Sequence, residues 1–228
     1  MPRLSSASQE ALKWAAILLM LFDHLAFAFL SDGPYLAARL LGRLSFPLFA
    51  FLLAYNLTVR RVDARSYLGP MVIVGALSQP AFMFLFGRPE LNIFLPLLAG
   101  VVLTALIVAW EEGSAPFALW PGTIALGAGL ALASALWADY GLQGALITPA
   151  WALMLLRPSL ASGVFLLAAL TLLNLGWVGM LVPLLTPAFV YLVAALVPEG
   201  SIGRMPRWLW YLFYPAHLAV LGLLRAAL

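Results

Sequence analysis

Short polar or Pro/Gly-rich breaks cut almost the whole chain into apolar runs, and this punctuation limits the fold more than any other feature. The breaks read SDGPY, RRVDAR, GRPE, EEGSAPF, ADYG, RPS, NLG and PEGSIGRMPR. Between them lie about nine runs, at roughly 12–30, 36–58, 68–86, 91–110, 118–137, 141–156, 160–174, 177–197 and 208–227. A helix needs about 20 mostly apolar residues to cross a bilayer, and most of the runs have that length. Several are shorter, so one pair reads alternatively as a re-entrant hairpin. No internal repeat and no long linker divides the chain.

Composition enters here as a check. Hydrophobic residues make up 64% of the 228 and charged ones 9%, against about 45–50% and about 25% in soluble domains. Mean hydropathy is +1.03. A soluble fold of this length leaves too much area facing solvent to hide so much apolar surface. The expected fold is therefore all-α: a polytopic membrane helix bundle of about nine transmembrane helices, forming a single domain over 1–228. The opening MPRLSSASQEALK is short and polar, and LKWAAILLMLFDHLAFAFL reads as a first span that stays rather than a cleaved signal. There are no cysteines, which excludes disulfides, thiolate metal sites and a cysteine nucleophile. A net charge of +3 is no nucleic-acid signature.

The placement of charge carries more than its sum. Arg and Lys favour cytoplasmic loops. With the N-terminus in the cytoplasm, Arg3, Lys13, Arg60, Arg61, Arg65, Arg157, Arg204 and Arg207 fall inside, and Arg88 and Arg225 outside. The acids of EEGSAP also fall inside, but acids weigh little in this rule.

Depth separates the polar residues further. At 1.5 Å per residue, Asp23 and His24 lie about 17 Å into a hydrocarbon core of roughly 30 Å. Arg43, on a span that descends from the outer face, lies about 10–12 Å in. Gln79 lies near mid-depth, and His217, with Tyr214 one turn away, lies about 14 Å from the inner face. Asn92 and the pair Asp139–Tyr140 sit at outer span ends. Polar groups from up to six segments thus share the outer half of the bilayer. A charge at the bilayer centre costs at least about 2.5–3.5 kcal/mol, and such residues default to functional sites. The plainer alternative is a structural Asp23–Arg43 pair clipping two helices together. For single residues the plainer alternatives are a core histidine at 24, a tyrosine at 214 that caps a carbonyl, and a Gln79 amide that serves a carbonyl freed by Pro80. The eight tryptophans read as an interfacial belt.

In order along the chain, LKWAAILLMLFDHLAF, LGRLSFPLFAFLLAYNL, SQPAF, LNIFLPLLAG, DYGLQGALI and WYLFYPAHLAVLGLLR resemble the TraX family. These are bacterial inner-membrane proteins whose founder is the N-acetylase of conjugative pilin. The family looks related to transmembrane acyltransferases that carry acyl groups from cytoplasmic acyl-CoA to acceptors at the membrane. The resemblance covers most spans. The stretches at about 110–130 and 158–200 are generic apolar sequence. The acceptor does not carry over.

The resemblance implies acetyl transfer from acetyl-CoA to an amine or hydroxyl of a protein, glycan or lipid. Such transfer needs a base for the acceptor proton and donors for the developing oxyanion. The expected catalytic group is His24 as general base, Asp23 holding its tautomer directly or through water, and Arg43 stabilising the oxyanion. Tyr214, His217, Gln79, Asn92, Asp139 and Tyr140 are expected to bind or position substrate. Arg60, Arg61, Arg65, Arg204 and Arg207 are expected to meet the phosphates of acetyl-CoA, and no metal is expected. Besides acetyl-CoA and the acceptor, membrane lipids are the implied partners, and nucleic acid is not. Three rivals remain at this point: a small-molecule transporter, a haem b carrier ligated by His24 and His217, and a structural assembly factor.

Overall fold

The computed structural model describes residues 3–113, 120–174 and 179–228, apart from the side chains of Trp120 and Arg207. The EEGSAPF break beyond Gly113 and the NLG break beyond Asn174 lie outside the described residues. The described helices are α1 (Ser6–Phe29), α2 (Asp32–Gly42), α3 (Ser45–Thr58), α4 (Arg65–Phe86), α5 (Phe94–Glu112), α6 (Trp120–Trp137), α7 (Gly141–Leu156), α8 (Leu160–Leu172), α9 (Thr186–Leu196) and α10 (Arg207–Ala227). A single 3-10 turn at Val182–Leu185 leads into α9. No β-strand occurs among the described residues, only one isolated bridge between Leu91 and Ala138.

The nine apolar runs map onto these helices one by one, with α2 and α3 together making the second. The break inside that pair has a local cause. Pro47 has no N–H to give the Arg43 carbonyl, so the α-ladder fails at Arg43–Leu44. The backbone there tightens into i→i+3 bonds, Arg43 N to Leu40 O and Leu44 N to Leu41 O, each 3.2 Å. The Ser45 hydroxyl then donates to the Ala16 carbonyl at 2.8 Å and pins the restart against α1. Among the described residues five units are long and apolar enough to cross a membrane: α1, the α2–α3 pair, α4, α5 and α10. The helices α6 to α9 are shorter and apolar. The chain is a multi-pass membrane protein.

Helix α7 is the hub of the bundle, packed by α3, α5, α6 and α8, while α10 lies along α4 and α1 touches α2, α3 and α10. Lipid tails are as apolar as Leu, so helices gain little by hiding apolar faces and associate through close packing. Small residues allow it here. Ala99, Ala145, Ala150 and Ala152 are fully buried, and a Cβ on Gly100 would lie 2.8 Å from the Thr148 hydroxyl. Phe51 and Trp151 meet edge to face in this core, with centroids 5.0 Å apart.

Charged residues at the N-terminal end of the bundle pair with one another. At the N-terminal end, Arg60 donates to Gln9 at 3.0 Å, and Glu10 accepts from Lys13 at 2.6 Å and from the Met205 amide at 3.4 Å. The acids that fall on this basic face are paired there: Glu111 with Arg157 at 2.8 Å and Glu112 with Arg61 at 2.7 Å.

Candidate active site

Neighbours on a helix point about 100° apart, and α1 uses this to send Asp23 and His24 to different partners. Asp23 meets α2. Its Oδ2 accepts from Arg39 Nη1 at 2.6 Å, and Arg43 Nη2 lies 3.8 Å from its Oδ1. All three side chains are about one-tenth exposed. Arg39 and Arg43 are one turn apart, so both reach the same carboxylate. Gly42 lies between them, where a Cβ would stand 2.6 Å from Asp23 Oδ1. Only glycine lets α2 come this close. Arg43 also donates to Asn174 Oδ1 at 3.2 Å, which ties the end of α8 to the site.

His24 turns instead to α10. Its Nδ1 lies 2.8 Å from His217 Nε2, and the two rings are parallel to within 4°. His217 Nδ1 in turn lies 2.8 Å from the Phe213 carbonyl oxygen. Phe86 closes the other side of His24, edge-on at 5.2 Å.

Asp23, His24, Arg39, Arg43 and Phe86 border a chamber of about 120 Å³ lined also by Arg88, Asp139, Tyr140 and Tyr214. Arg39 and Arg43 both face Asp23 there, while Arg88 is half exposed and lies 3.7 Å from Glu90. Tyr214 is buried with the Ile93 backbone beside its hydroxyl. Asp139 and Tyr140 reach the chamber because two loops zip together: Leu91 N donates to Trp137 O at 2.6 Å and Asp139 N to Leu91 O at 2.9 Å. Tyr140 holds a left-handed φ of 65°, uncommon for a non-glycine residue, and stacks on Phe46 with centroids 4.3 Å apart. Asp139 lies in a turn beyond the spans, where burial pushes its carboxyl above the usual range while Arg43 pulls the other way. Arg43, Asp139 and Tyr140 also wall a second recess of about 220 Å³ that reaches Gln143 and Asn174.

The features in hand are an Asp–His pair on α1, a Gly-Arg element at a proline-induced break and a Tyr-Pro-x-His element on α10. Over residues 8–225 the chain matches the TraX protein family. The chain belongs to the TraX family. It is 30% identical over 232 residues to the "Probable fimbrial assembly protein FimC, serogroup H1" of Dichelobacter nodosus, covering 92% of each chain. No solved structure matches it.

In this TraX protein several expected roles move. Asp23 makes no hydrogen bond to His24. It is engaged by Arg39 and Arg43, and His217 is the imidazole's partner. Gln79 and Asn92 lie outside the chamber. Gln79 donates to Glu90 O at 2.8 Å and accepts from Asn92 N at 2.9 Å, and Asn92 donates to Gly75 O at 2.8 Å. The pair locks the α4–α5 connection. The 2.8 Å between His24 Nδ1 and His217 Nε2 leaves no room for an iron between these two nitrogens, which two imidazole ligands would hold roughly 4 Å apart. Of the basic residues expected to meet phosphate, Arg60 and Arg61 are engaged as described above. Arg65 and Arg204 are exposed, and the Arg207 side chain lies outside the described residues.

Sequence reasoning passed over Arg39, Arg88 and Asn174. Arg39 carried a usable signal, its four-residue spacing from Arg43 in ARLLGR. Arg88 and Asn174 sit in the GRPE and NLG breaks, where nothing local marks them as facing inward.

Proposed function

We propose that this TraX protein is an inner-membrane acyltransferase that moves an acetyl group from cytoplasmic acetyl-CoA to an amine or hydroxyl acceptor. The observation that carries the reading is a histidine, His24, opening on a chamber inside the spans that Arg39 and Arg43 border. The name of the fimbrial relative favours a protein acceptor, such as a subunit's N-terminal amine, over a glycan or lipid.

The chemistry runs as a direct transfer. The acceptor's N–H or O–H gives its proton to His24 as its nitrogen or oxygen attacks the thioester carbon. Negative charge gathers on the carbonyl oxygen, where Arg43 and the Tyr214 hydroxyl are the available donors. The carbon–sulfur bond then breaks, and the departing thiolate recovers the proton. The products are acetylated acceptor and free CoA. Ser45 lines the chamber but spends its hydroxyl on Ala16 O, so no serine is poised for an acyl-enzyme route.

A cleft of about 170 Å³ runs from the chamber toward the basic end and shares Met20, Phe49, Ile93 and Tyr214 with it. Its lining is apolar except for Tyr67, Trp210, Tyr211 and Tyr214. That mixture suits a pantetheine arm, which is mostly hydrocarbon with two amides. At the far end, Lys13 lies over the Trp210 ring at 5.3 Å, and Arg65 and Arg204 are available to the nucleotide phosphates.

Equilibrium binding of acetyl-CoA to the detergent-purified protein tests the donor. Saturable micromolar binding, weakened in Arg43→Ala, is the expected result, and its absence in well-folded protein overturns the reading. Free CoA is then followed with a thiol reagent, since the chain has no cysteine. His24→Ala is expected to lose about 10²–10⁴-fold in transfer with the fold intact. Full activity in that variant would remove the base from the mechanism.

A further inference from the structure

The orientation of a catalytic imidazole is usually set by a carboxylate that accepts from its Nδ1–H. Here the adjacent carboxylate is engaged elsewhere, at 2.6 Å from Arg39. His24 Nδ1 faces His217 Nε2 instead, and the far nitrogen of His217 faces a backbone carbonyl. That carbonyl decides the protons along the whole line. A carbonyl oxygen only accepts, so His217 Nδ1 bears the hydrogen. In a neutral ring the other nitrogen is then a lone pair, so His217 Nε2 accepts. The hydrogen between the rings therefore belongs to His24 Nδ1, and His24 Nε2 is left as a lone pair. His24 lines the chamber and His217 does not.

We infer that His217 is the positioning residue of the site, fixing His24 in the Nδ1–H tautomer so that its basic Nε2 faces the chamber. This rests on the acyltransferase reading for its purpose, but not for its geometry. When Nε2 takes a proton, the His24–His217 hydrogen bond becomes charge-assisted and strengthens. The positive charge is then shared along a line that ends on the Phe213 carbonyl. The sequence set His217 down as a substrate-positioning group; its ring is committed on both nitrogens and has no donor or acceptor to spare. Its surroundings hold it still. The Phe213 ring stacks on it at 4.7 Å and the Tyr214 ring meets it edge-on at 5.5 Å.

The chain has two histidines, which makes the test direct. Full-length protein labelled with ¹⁵N-histidine gives four ring nitrogens by NMR in detergent or nanodiscs, and His24→Gln assigns the two that belong to His217. Both rings are expected in the Nδ1–H form, with two pyridine-type Nε2 signals in wild type. In His217→Gln the amide oxygen still accepts, so His24 keeps Nδ1–H. In His217→Leu that preference is lost and Nε2–H appears. Because both rings are inferred to be Nδ1–H, any Nε2–H signal in the wild type overturns the inference, whether or not any variant folds. Acetyl-CoA binding on the same sample keeps the two ideas apart. Bound donor with Nε2–H on His24 sinks the positioning role alone, whereas the Nδ1–H tautomer without donor binding sinks the acyltransferase reading alone.

Discussion

Two halves of the bundle bury polar groups of different kinds, neutral ones in one and charged ones in the other. Around α3, α5 and α7, Thr104, Thr148 and Trp151 each bury a polar atom that has no hydrogen-bond partner. Around α1 and α2 the buried groups are charged and face one another, Asp23 with Arg39 and Arg43, and Arg43 also with Asn174, although Asp23 Oδ1 and Asn174 Nδ2 make no hydrogen bond. The difference follows from magnitudes. An unsatisfied neutral group costs about 1–3 kcal/mol, which a tightly packed core of alanines and glycines can carry. An unpaired charge costs several kcal/mol more. A bundle needs no buried charges for its stability, and their presence around α1 and α2 is what singles out the chamber as the candidate site.

The largest test of this contrast removes a charge from the chamber. Asp23→Ala leaves Arg39 and Arg43 facing each other across an apolar residue. Breaking one side of a buried pair costs about 3–5 kcal/mol, so thermal unfolding in detergent should show Asp23→Ala as strongly destabilised. A wild-type melting curve would mean that lipid or water reaches the pair and that the chamber is not sealed. Gly42→Ala acts on the same contact from the other side. The new methyl would lie 2.6 Å from Asp23 Oδ1, and Asp23 is held in place by Arg39, so little can give. Overpacking of this kind costs about 1–3 kcal/mol. Because it displaces the carboxylate without removing it, the same melt should fall between Asp23→Ala and wild type.

Much of this was open to reading from the chain, and the parts that were not have a common cause. Helix positions follow from runs of apolar residues about as long as a bilayer is thick, and α7 and the gathering of Asp23, His24, Arg43, Tyr140 and Tyr214 follow from that. Depth along a helix is a one-dimensional quantity, and the sequence carries it. Rotation about the helix and pairing between helices are not one-dimensional. So Gln79 and Asn92, at a suitable depth, turn out to face each other across a loop. Asp23 and His24, adjacent in sequence, diverge to α2 and α10. The break at Arg43–Leu44 was readable in principle from Pro47, since the missing N–H points four residues back. The bridge from Leu91 to Ala138, which carries Asp139 and Tyr140 to the chamber, joins two loops with no local signal to pair them.

The smallest expected effect probes the neutral half around α3, α5 and α7. Thr148 is fully buried and its hydroxyl lies without a partner against Gly100. Valine has nearly the same shape and no polar atom. Ordinarily Thr→Val in a core loses a hydrogen bond, but here there is none to lose. Replacing an unsatisfied hydroxyl by a methyl relieves its desolvation, offset by the slightly larger methyl pressing on Gly100. Thr148→Val is therefore expected to shift stability by less than about 1 kcal/mol, with a sign toward stabilisation. Acetyl-CoA binding should stay as in wild type, because no part of Thr148 lines the chamber. A loss of 2 kcal/mol or more (roughly the cost of a buried hydrogen bond broken with one partner left behind) would show that the hydroxyl has a partner after all. A buried water would be such a partner, and the neutral half would then hold a hydrated site.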